Sequence, residues 1–463
     1  MRARLASVDR IRLSLAGITV VAAAVRFFRI GYQSFEHDEL ITVGLLHRSL
    51  WGMLSAIPHS ESTPPVYYVV AWVWARIFGY DEAGLRSLSA LFGIATVVVA
   101  YFVGRDALRS RVAGLATAAL AAGCPILVWF SQEARSYSLV TLLCGLSLVF
   151  LVRALDDYRS SSLWWWSACS ALAVATHYFA GFLVVGEAAI LVWRLRRRAI
   201  APLAPVAVVA AALVPLAHRQ YGAGGQKWNW FQSYSVGARL WELAERFVSF
   251  NYNPAGKPLI AFAILAVAAL AVAGARVGRA AMVLGLAIWT IAAPVLLTFV
   301  GIDVFNYRNL LVAWLPLIVA GVAGLTRLPL RLQAAIVAVA ALGLVGASVM
   351  DATRVNLQRG SWRAAARMLS AEHGPRVIMP VEVMMLTHYW HAPSILPPAG
   401  AHVSEVEVLG QGIAGPTDLG LNLRGFRLIR RERAGNITIY QFRAPRPELV
   451  TGRELPWQAV LAS

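Results

Sequence analysis

The segment Phe35-Glu36-His37-Asp38-Glu39-Leu40 ends the first long apolar run of the chain and places three carboxylates and a histidine at its boundary. Ionisable side chains beside a membrane are costly, and by default they mark a functional site. A carboxylate at such a boundary can act as a general base towards an acceptor hydroxyl. The segment therefore predicts Asp38 as a catalytic base with Glu39 as its neighbour, and a helix N-terminus that favours acids is the alternative.

The composition around this segment is that of a membrane protein. The chain has 463 residues, of which 58% are hydrophobic and only 14% are charged. Soluble domains carry about 25% charged residues, and apolar runs of about 20 residues are long enough to cross a bilayer. The net charge is +18, but the arginines form short clusters between apolar runs. That distribution is typical of a positive-inside topology, so the sequence predicts the lipid bilayer as a partner and excludes nucleic acid.

The topology depends on whether the short apolar segment Pro65–Tyr80 crosses the membrane. If it lies at the interface, as Leu40–Ile57 is also predicted to do, the second span is Ala83–Gly104 and every dense arginine cluster falls in the cytoplasm. The sequence then predicts a multi-pass protein of the inner (plasma) membrane with a cytoplasmic N-terminus. About eleven spans are predicted, at residues 11–30, 83–104, 112–130, 136–153, 163–177, 179–193, 199–217, 258–275, 280–300, 309–325 and 331–349.

The composition changes at Asp351, which divides the chain into two predicted domains. Residues 1–350 are expected to form a mainly α, polytopic transmembrane domain, and residues 351–463 a small extracytoplasmic soluble α/β domain. Its predicted elements are a helix capped by Ser361 at 361–371, a strand at 376–381, and a hairpin of strands 426–431 and 436–442 around Ala434-Gly435.

A second polar island, Ser131-Gln132-Glu133-Ala134-Arg135-Ser136-Tyr137-Ser138, lies between two apolar runs on the same predicted side as Asp38. It has more polar groups than a turn requires, which favours a binding role over a turn closed by an internal Glu133–Arg135 pair. The outer loop 218–257 carries the run Lys227-Trp228-Asn229-Trp230-Phe231, which suits an interfacial belt or a cover over a cleft.

Several single residues at span ends are further candidates. Arg308, beside Tyr307, has the planar guanidinium that holds phosphate with paired hydrogen bonds. Arg26 and Arg29 are expected either to extend towards the lipid headgroups or to meet a phosphate. His37, His47 and His59 match no strong metal-site spacing, so no cofactor is predicted, and a divalent metal remains an open alternative.

Together these islands resemble the bacterial glycosyltransferases of the GT-C superfamily, in particular the protein O-mannosyltransferase-like and aminoarabinose-transferase-like membrane enzymes. The resemblance extends over about residues 10–330. Its marks are Asp38-Glu39, Pro64-Pro65 followed by Tyr67-Tyr68, the segment 85–93, the segment 131–139, His177-Tyr178 and Tyr307-Arg308.

The resemblance implies a GT-C-like bundle and an inverting, metal-independent transfer from a polyprenyl-phosphate-linked sugar to a glycan, lipid or protein outside the cytoplasm. Asp38 would activate the acceptor beside Glu39. Arg308 and Arg135 would hold the departing phosphate, with Glu133, Tyr137, His177, Tyr307 and Tyr67 completing the binding set. Thr63 stands where some relatives have a lysine before the proline pair. The alternative function is a transporter or flippase of lipid-linked sugars, for which internal repeats would be expected.

Overall fold

The computed structural model describes residues 2–223, 232–391, 393–412, 423, 425–451 and 458–462. The predicted run Lys227–Phe231 lies outside these residues. The chain divides into two compact units, here called the helical unit (Met1–Ile30 and Leu45–Asp351) and the sheet unit (Gly31–Gly44 and Ala352–Ser463). The acidic segment that follows the first apolar run thus groups with residues more than three hundred positions later in the chain.

The part of the chain before residue 354 is helical. Its α-helices are α1 (Arg2–Phe27), α2 (His37–Leu46), α3 (Leu50–Ser60), α4 (Val66–Phe78), α5 (Glu82–Leu108), α6 (Arg111–Gly123), α7 (Pro125–Ser131), α8 (Tyr137–Asp156), α9 (Ser162–Thr176), α10 (Ala180–Leu195), α11 (Ile200–Ala223), α12 (Val236–Val248), α13 (Lys257–Gly274), α14 (Ala280–Thr298), α15 (Trp314–Leu325) and α16 (Leu330–Thr353). Short 3-10 turns occupy Arg196–Ala199, Tyr307–Ala313 and Val355–Leu357.

Seven helical segments of the described chain are long and apolar enough to cross a bilayer, and an eighth is obtained if the bent pair α6–α7 counts as one span. One of the seven, Ala180–Gly222, combines α10 and α11, although Arg196 interrupts it with a φ of 52°. Helices α1 and α9 lie at two more of the eleven predicted spans, but they are not among these long apolar segments. The predicted class, a mainly α polytopic membrane protein with a small C-terminal sheet domain, is confirmed.

The two segments predicted at the interface are short helices. α4 has 13 residues, so it is about 20 Å long and does not match the hydrocarbon core of about 30 Å. The single helix predicted over Leu40–Ile57 is wrong, since α2 ends at Leu46 and α3 begins at Leu50. Ser49 separates them because its hydroxyl accepts a hydrogen bond from the Gly52 N–H, 3.1 Å away, and so caps α3.

The bend between α6 and α7 is 60° and explains the position of Arg26. Pro125 cannot donate a backbone hydrogen bond, so carbonyls at the end of α6 need other donors. The Arg26 guanidinium, which is fully buried, donates to the carbonyls of Ala121 and Ala122 at 3.2 and 2.9 Å and to Ser131 Oγ at 3.2 Å. Arg26 therefore takes neither of its expected roles, at the lipid headgroups or at a phosphate. Its donors instead bind the carbonyls at the end of α6.

The sheet unit contains a six-stranded mixed sheet in the order β2-β6-β1-β3-β5-β4. The strands are β1 (Arg376–Pro380), β2 (Ser394–Ile395), β3 (Ala401–Gln411), β4 (Arg427–Ala434), β5 (Ile437–Val450) and β6 (Val460–Ala462), with helices α17 (Trp362–Ser370) and α18 (Val383–Tyr389). Only β1 and β3 pair in parallel among the described strands. Successive residues of β1 point to opposite faces, so Ile378 packs with Trp362 of α17 and Val377 with Val406 and Phe442.

The predicted hairpin of the sheet unit is confirmed. Ala434 pairs with Ile437, and Gly435 takes a φ of 64°, as a two-residue turn requires. The predicted helix after Ser361 and the strand from Arg376 are also present, but the Ser361 side chain does not cap its helix. Its hydroxyl instead accepts a hydrogen bond from the Asn436 N–H in that turn, 3.4 Å away.

Candidate active site

The two acids predicted to be catalytic have different environments at the start of α2. Glu39 is fully buried, and its Oε2 accepts a hydrogen bond from the Glu36 N–H at 3.0 Å. This is the carboxylate half of a capping box, so the alternative reading of the acids as helix-capping groups applies to Glu39. Asp38 lies in the same first turn but is only partly buried, and its carbonyl accepts from Thr42 Oγ1 at 3.2 Å. Asp38 is therefore the more accessible of the two carboxylates.

Arg359, in the same unit, faces the carboxylates of Glu36 and Glu39. Its Nε lies 3.9 Å from Glu39 Oε2 and 3.9 Å from Glu36 Oε1, and its side chain is only 1% exposed. The Arg359 N–H donates to Gln33 Oε1 at 3.0 Å, and its carbonyl accepts from Asn436 Nδ2 at 3.1 Å. The backbone of Arg359 is thus held from both sides, which fixes where its charge faces the acids.

Other elements of the sheet unit hold the residues that precede Asp38. The Phe35 N–H donates to the Tyr389 hydroxyl at 2.8 Å, and Ser34 Oγ accepts from the Arg363 N–H at 3.1 Å. His37 Nδ1 lies 3.0 Å from a Glu382 carboxylate oxygen. Helices α17 and α18 therefore position the acidic segment directly.

In the helical unit, Arg135 pairs with Glu61, which lies 74 residues earlier in the chain. Its two terminal nitrogens donate to the two Glu61 carboxylate oxygens at 2.8 and 3.0 Å, and both side chains are almost fully buried. Glu133 is buried as well, and its carbonyl accepts from the Arg135 N–H at 2.8 Å. Sequence reasoning missed Glu61, although it lies three residues before the Pro64-Pro65 pair of the resemblance.

Tyrosines and a glutamine surround the Glu61–Arg135 pair. Tyr68 lies under the Arg135 guanidinium, 5.9 Å from its ring centre, and meets Tyr67 edge to face at 5.6 Å. Gln220 donates to the Thr63 carbonyl at 3.1 Å and accepts from the Tyr178 hydroxyl at 2.7 Å. Polar stretches from four parts of the sequence therefore meet at one end of the helical unit.

His177 lies between α9 and α10 and is buried beside Tyr137, with their ring centres 5.6 Å apart. Its Nδ1 accepts from the Phe179 N–H at 3.3 Å, which leaves the proton of the neutral ring on Nε2. With Nδ1 accepting, His177 can offer its Nε2–H to a neighbouring acceptor.

Arg308 lies in the 3-10 turn Tyr307–Ala313, which Asn306 caps by accepting from the Arg308 N–H at 3.0 Å. The Arg308 Nε donates to the Tyr307 hydroxyl at 3.4 Å. Tyr307 in turn lies 5.2 Å from the guanidinium of Arg246, a cation that sequence reasoning did not single out.

Aromatic contacts connect this turn with the second polar island. The Arg246 guanidinium is 5.2 Å from the Phe250 ring, which lies 6.2 Å from Phe130, and Phe130 lies 4.6 Å from Tyr137. The structure therefore brings the predicted binding residues of the helical unit to one end of it; these are Tyr67, Glu133, Arg135, Tyr137, His177, Tyr307 and Arg308. Asp38 and Glu39 belong to the sheet unit.

The described residues contain no group of three or more His, Cys, Asp or Glu side chains placed to hold a metal ion. Of the three histidines considered from the sequence, His37 faces Glu382, and His47 stacks on Tyr80 with ring centres 4.1 Å apart.

Comparisons with known proteins agree with this architecture. Residues 62–219 match the family model for dolichyl-phosphate-mannose-protein mannosyltransferase. Apo ArnT from Cupriavidus metallidurans is similar in fold, with a TM-score of 0.58, 14% identity, and coverage of 94% of this chain and 98% of ArnT. The undecaprenyl phosphate-bound structure of that protein gives a TM-score of 0.55, 15% identity, and coverage of 92% and 97%.

The Archaeoglobus fulgidus oligosaccharyltransferase is more distant, with a TM-score of 0.50, 12% identity, and coverage of 78% of this chain and 57% of its own. A comparison with curated protein sequences gave no match. The resemblance predicted from the sequence is confirmed at this level: residues 62–219 match a mannosyltransferase family model, and the chain as a whole is similar in fold to ArnT.

Proposed function

We propose that this protein transfers a sugar from a polyprenyl-phosphate-linked donor to a glycan, lipid or protein acceptor on the extracytoplasmic face of the inner membrane. The observation that carries the proposal is the separation of roles within the acidic segment of a GT-C fold. Glu39 is buried and caps α2, whereas Asp38 in the same turn is partly exposed. The solved ArnT structure with undecaprenyl phosphate supports a lipid phosphate as the donor carrier.

Asp38 acts as the general base in the proposed reaction. Its carboxylate takes the proton from the acceptor nucleophile while the acceptor attacks the anomeric carbon of the donor sugar. The bond between that carbon and the phosphate oxygen breaks, and the polyprenyl phosphate leaves with the electron pair. A single displacement of this kind inverts the anomeric centre, and we propose that it proceeds without a metal ion.

Arg308 is the proposed principal ligand of the donor phosphate, since a guanidinium can form paired hydrogen bonds with phosphate oxygens. Arg135 is proposed to act in the same binding region, but a phosphate would compete with Glu61 for its two terminal nitrogens. Neutral His177 can donate from Nε2 to a sugar hydroxyl. Buried Glu133, Tyr137, Tyr307 and Tyr67 complete the proposed binding set.

The test uses the full chain in lipid nanodiscs with a panel of polyprenyl-phosphate sugars, and it measures release of free polyprenyl phosphate. We expect one donor to be consumed, and Asp38→Asn to lower its turnover about 100-fold or more with an unchanged thermal unfolding temperature. Glu448→Gln, which removes an exposed acid from β5, is the matched control and should retain normal turnover. Near-normal turnover of Asp38→Asn would remove Asp38 as the base. A flippase would move the donor but leave the sugar–phosphate bond intact.

The orientation of the chain is also part of the proposal, with the N-terminus in the cytoplasm and the C-terminal domain outside. Cysteine placed at exposed Arg109 should react with a reagent confined to the cytoplasm, and cysteine placed at Val70 should not. The three natural cysteines are buried and serve as the unlabelled background. The opposite labelling pattern would invert the proposed topology.

A further inference from the structure

A cavity lined by arginines lies at the other end of the helical unit from the polar cluster described above. Its volume is about 460 Å³, and Arg105, Arg109, Arg111 and Arg153 contribute to its wall together with two aspartates. α8 begins at Tyr137 in the polar cluster and ends 20 residues later at Asp156 in this wall. A helix of that length extends about 30 Å, so the two sites are separate.

Carboxylates hold the arginines of this wall in place. The two oxygens of Asp106 bond Arg105 Nε at 2.5 Å and Arg153 Nε at 2.8 Å. Asp156 bonds Arg109 at 3.0 Å and also Arg279 from the turn before α14, at 2.6 Å. Two chain segments that line the cavity, residues 105–111 and 153–156, are thereby held together, and Arg279 supports them from outside its wall.

The cavity wall carries excess positive charge. Four arginines face two aspartates, so the lining residues alone leave two positive charges. Arg111 is exposed and makes no ion pair within the described part of the chain. Guanidinium groups in excess over carboxylates are well suited to bind phosphate oxygens.

Aromatic rings beside the cavity indicate its depth in the bilayer. The Arg105 guanidinium lies 4.8 Å from the Phe102 ring, and that of Arg153 lies 5.8 Å from the Phe150 ring. Both rings are partly exposed. Partly exposed apolar rings beside arginines are expected where the hydrocarbon core meets the headgroups, and basic pockets between helix ends at that level bind anionic lipids.

We propose that this cavity binds the phosphodiester headgroup of an anionic membrane lipid. Its volume lies within the range of about 300–1,000 Å³ that is typical of small-molecule sites, and it can hold a headgroup larger than one phosphate ion. The chemistry of recognition is the phosphate, and the adjacent aromatic rings favour a lipid over free phosphate as its source. The proposal does not depend on the proposed glycosyl transfer.

The test is native mass spectrometry of the full chain in detergent, titrated with phosphatidylglycerol and, in parallel, with zwitterionic phosphatidylcholine. We expect saturable binding of phosphatidylglycerol, and at least a fivefold loss of affinity in Arg109→Gln/Arg111→Gln. Arg327→Gln/Arg331→Gln removes the same charge from exposed positions outside the cavity and is the matched control. Equal losses in the two double variants, or equal affinity for the two lipids, would overturn the proposal.

A single variant and a competition with inorganic phosphate complete the test. Arg111→Gln alone removes an exposed side chain with no ion pair among the described residues, so it tests the cavity if the double variant is unstable; we expect at least a twofold loss, and wild-type affinity would count against the proposal. Inorganic phosphate at millimolar concentration should not displace the bound lipid. Complete displacement would identify free phosphate as the ligand and overturn the lipid assignment.

Discussion

Arg135 in the helical unit and Arg359 in the sheet unit are both buried and both face glutamates, but their geometries differ. In the helical unit, Arg135 and Glu61 form a closed pair, with two hydrogen bonds of 2.8 and 3.0 Å. In the sheet unit, the Nε of Arg359 lies 3.9 Å from an oxygen of each of two carboxylates, Glu36 and Glu39. The first cation is matched by one acid, and the second is shared between two.

The closed Arg135–Glu61 pair suits a structural role, whereas the shared Arg359 suits the positioning of residues that take part in chemistry. A closed buried pair leaves no net charge, and removing one partner is costly because the other charge stays buried. A cation shared between two carboxylates can order both of them without forming a closed pair with either. We infer that Glu61–Arg135 joins two polar stretches of the helical unit, whereas Arg359 orders the acidic segment that carries Asp38.

The largest expected effect on stability comes from removing the carboxylate of the closed pair. Glu61→Gln should lower the free energy of unfolding by about 3–5 kcal/mol, since Arg135 would keep a buried charge without its carboxylate. Thermal unfolding of the full chain in detergent measures this loss. The double variant Glu61→Gln/Arg135→Gln should recover a large part of it. If the double variant is less stable than the single variant, the pair is not the closed unit described here.

A second closed pair, Arg376–Glu407 in the sheet unit, tests whether burial alone determines how such a pair contributes to the free energy of unfolding. Burial, together with a hydrogen bond that protonated Glu407 can donate to Glu372, raises the pKa of Glu407 despite Arg376 Nε at 3.3 Å. A raised folded-state pKa means that stability is highest below the ordinary glutamate pKa of about 4.5 and falls as pH rises through the folded-state pKa.

Hydrogen exchange of β1 and β3 between pH 4 and pH 8, corrected for the intrinsic pH dependence of exchange, measures this change. Glu407→Gln should flatten the profile, because the amide does not titrate. Glu448→Gln, at an exposed position of the neighbouring strand β5, should keep the wild-type slope. A wild-type profile that rises with pH would show that Arg376 outweighs the effect of burial.

Replacement of Arg308 should change donor affinity without changing the stability of the protein. Arg308→Gln should weaken donor binding by about 2 kcal/mol, because it removes a charge-assisted contact with the phosphate. It should change the unfolding temperature little, since Arg308 is only partly buried. Donor titration monitored by intrinsic fluorescence provides the affinity, and Arg331→Gln is an exposed control. Unchanged affinity would move the phosphate ligand to another residue.

Among the functional effects, that of Arg359 should be the smallest and should appear in turnover rather than in donor affinity. Arg359→Gln should lower kcat about tenfold, or about 1.4 kcal/mol, with little change in donor affinity, because Arg359 orders the segment that carries Asp38. Arg359→Lys should restore part of kcat, since it keeps the charge but not the planar shape. A loss of donor affinity with normal kcat would instead place Arg359 in donor binding.

Local features of the fold were predictable from the sequence. The apolar runs predicted the long helices because a span needs about 20 apolar residues, and Ala434-Gly435 predicted its hairpin because the turn needs a residue with positive φ. The helix break at Ser49 was missed, although serine is a common cap, because the apolar spacing continues across it. The polar islands predicted which segments carry the binding residues, but not which side chains within them meet.

The sequence alone determined the membrane class, the small C-terminal domain and the acidic segment after the first apolar run, because these depend on composition and on neighbours along the chain. Only the tertiary structure decided that Arg135 pairs with Glu61, that Arg359 faces Glu36 and Glu39, and that Arg26 satisfies a bent helix. The partners of a buried charge are chosen by which helices and strands pack together. They lie 74 to more than three hundred residues apart, a separation that no local pattern encodes.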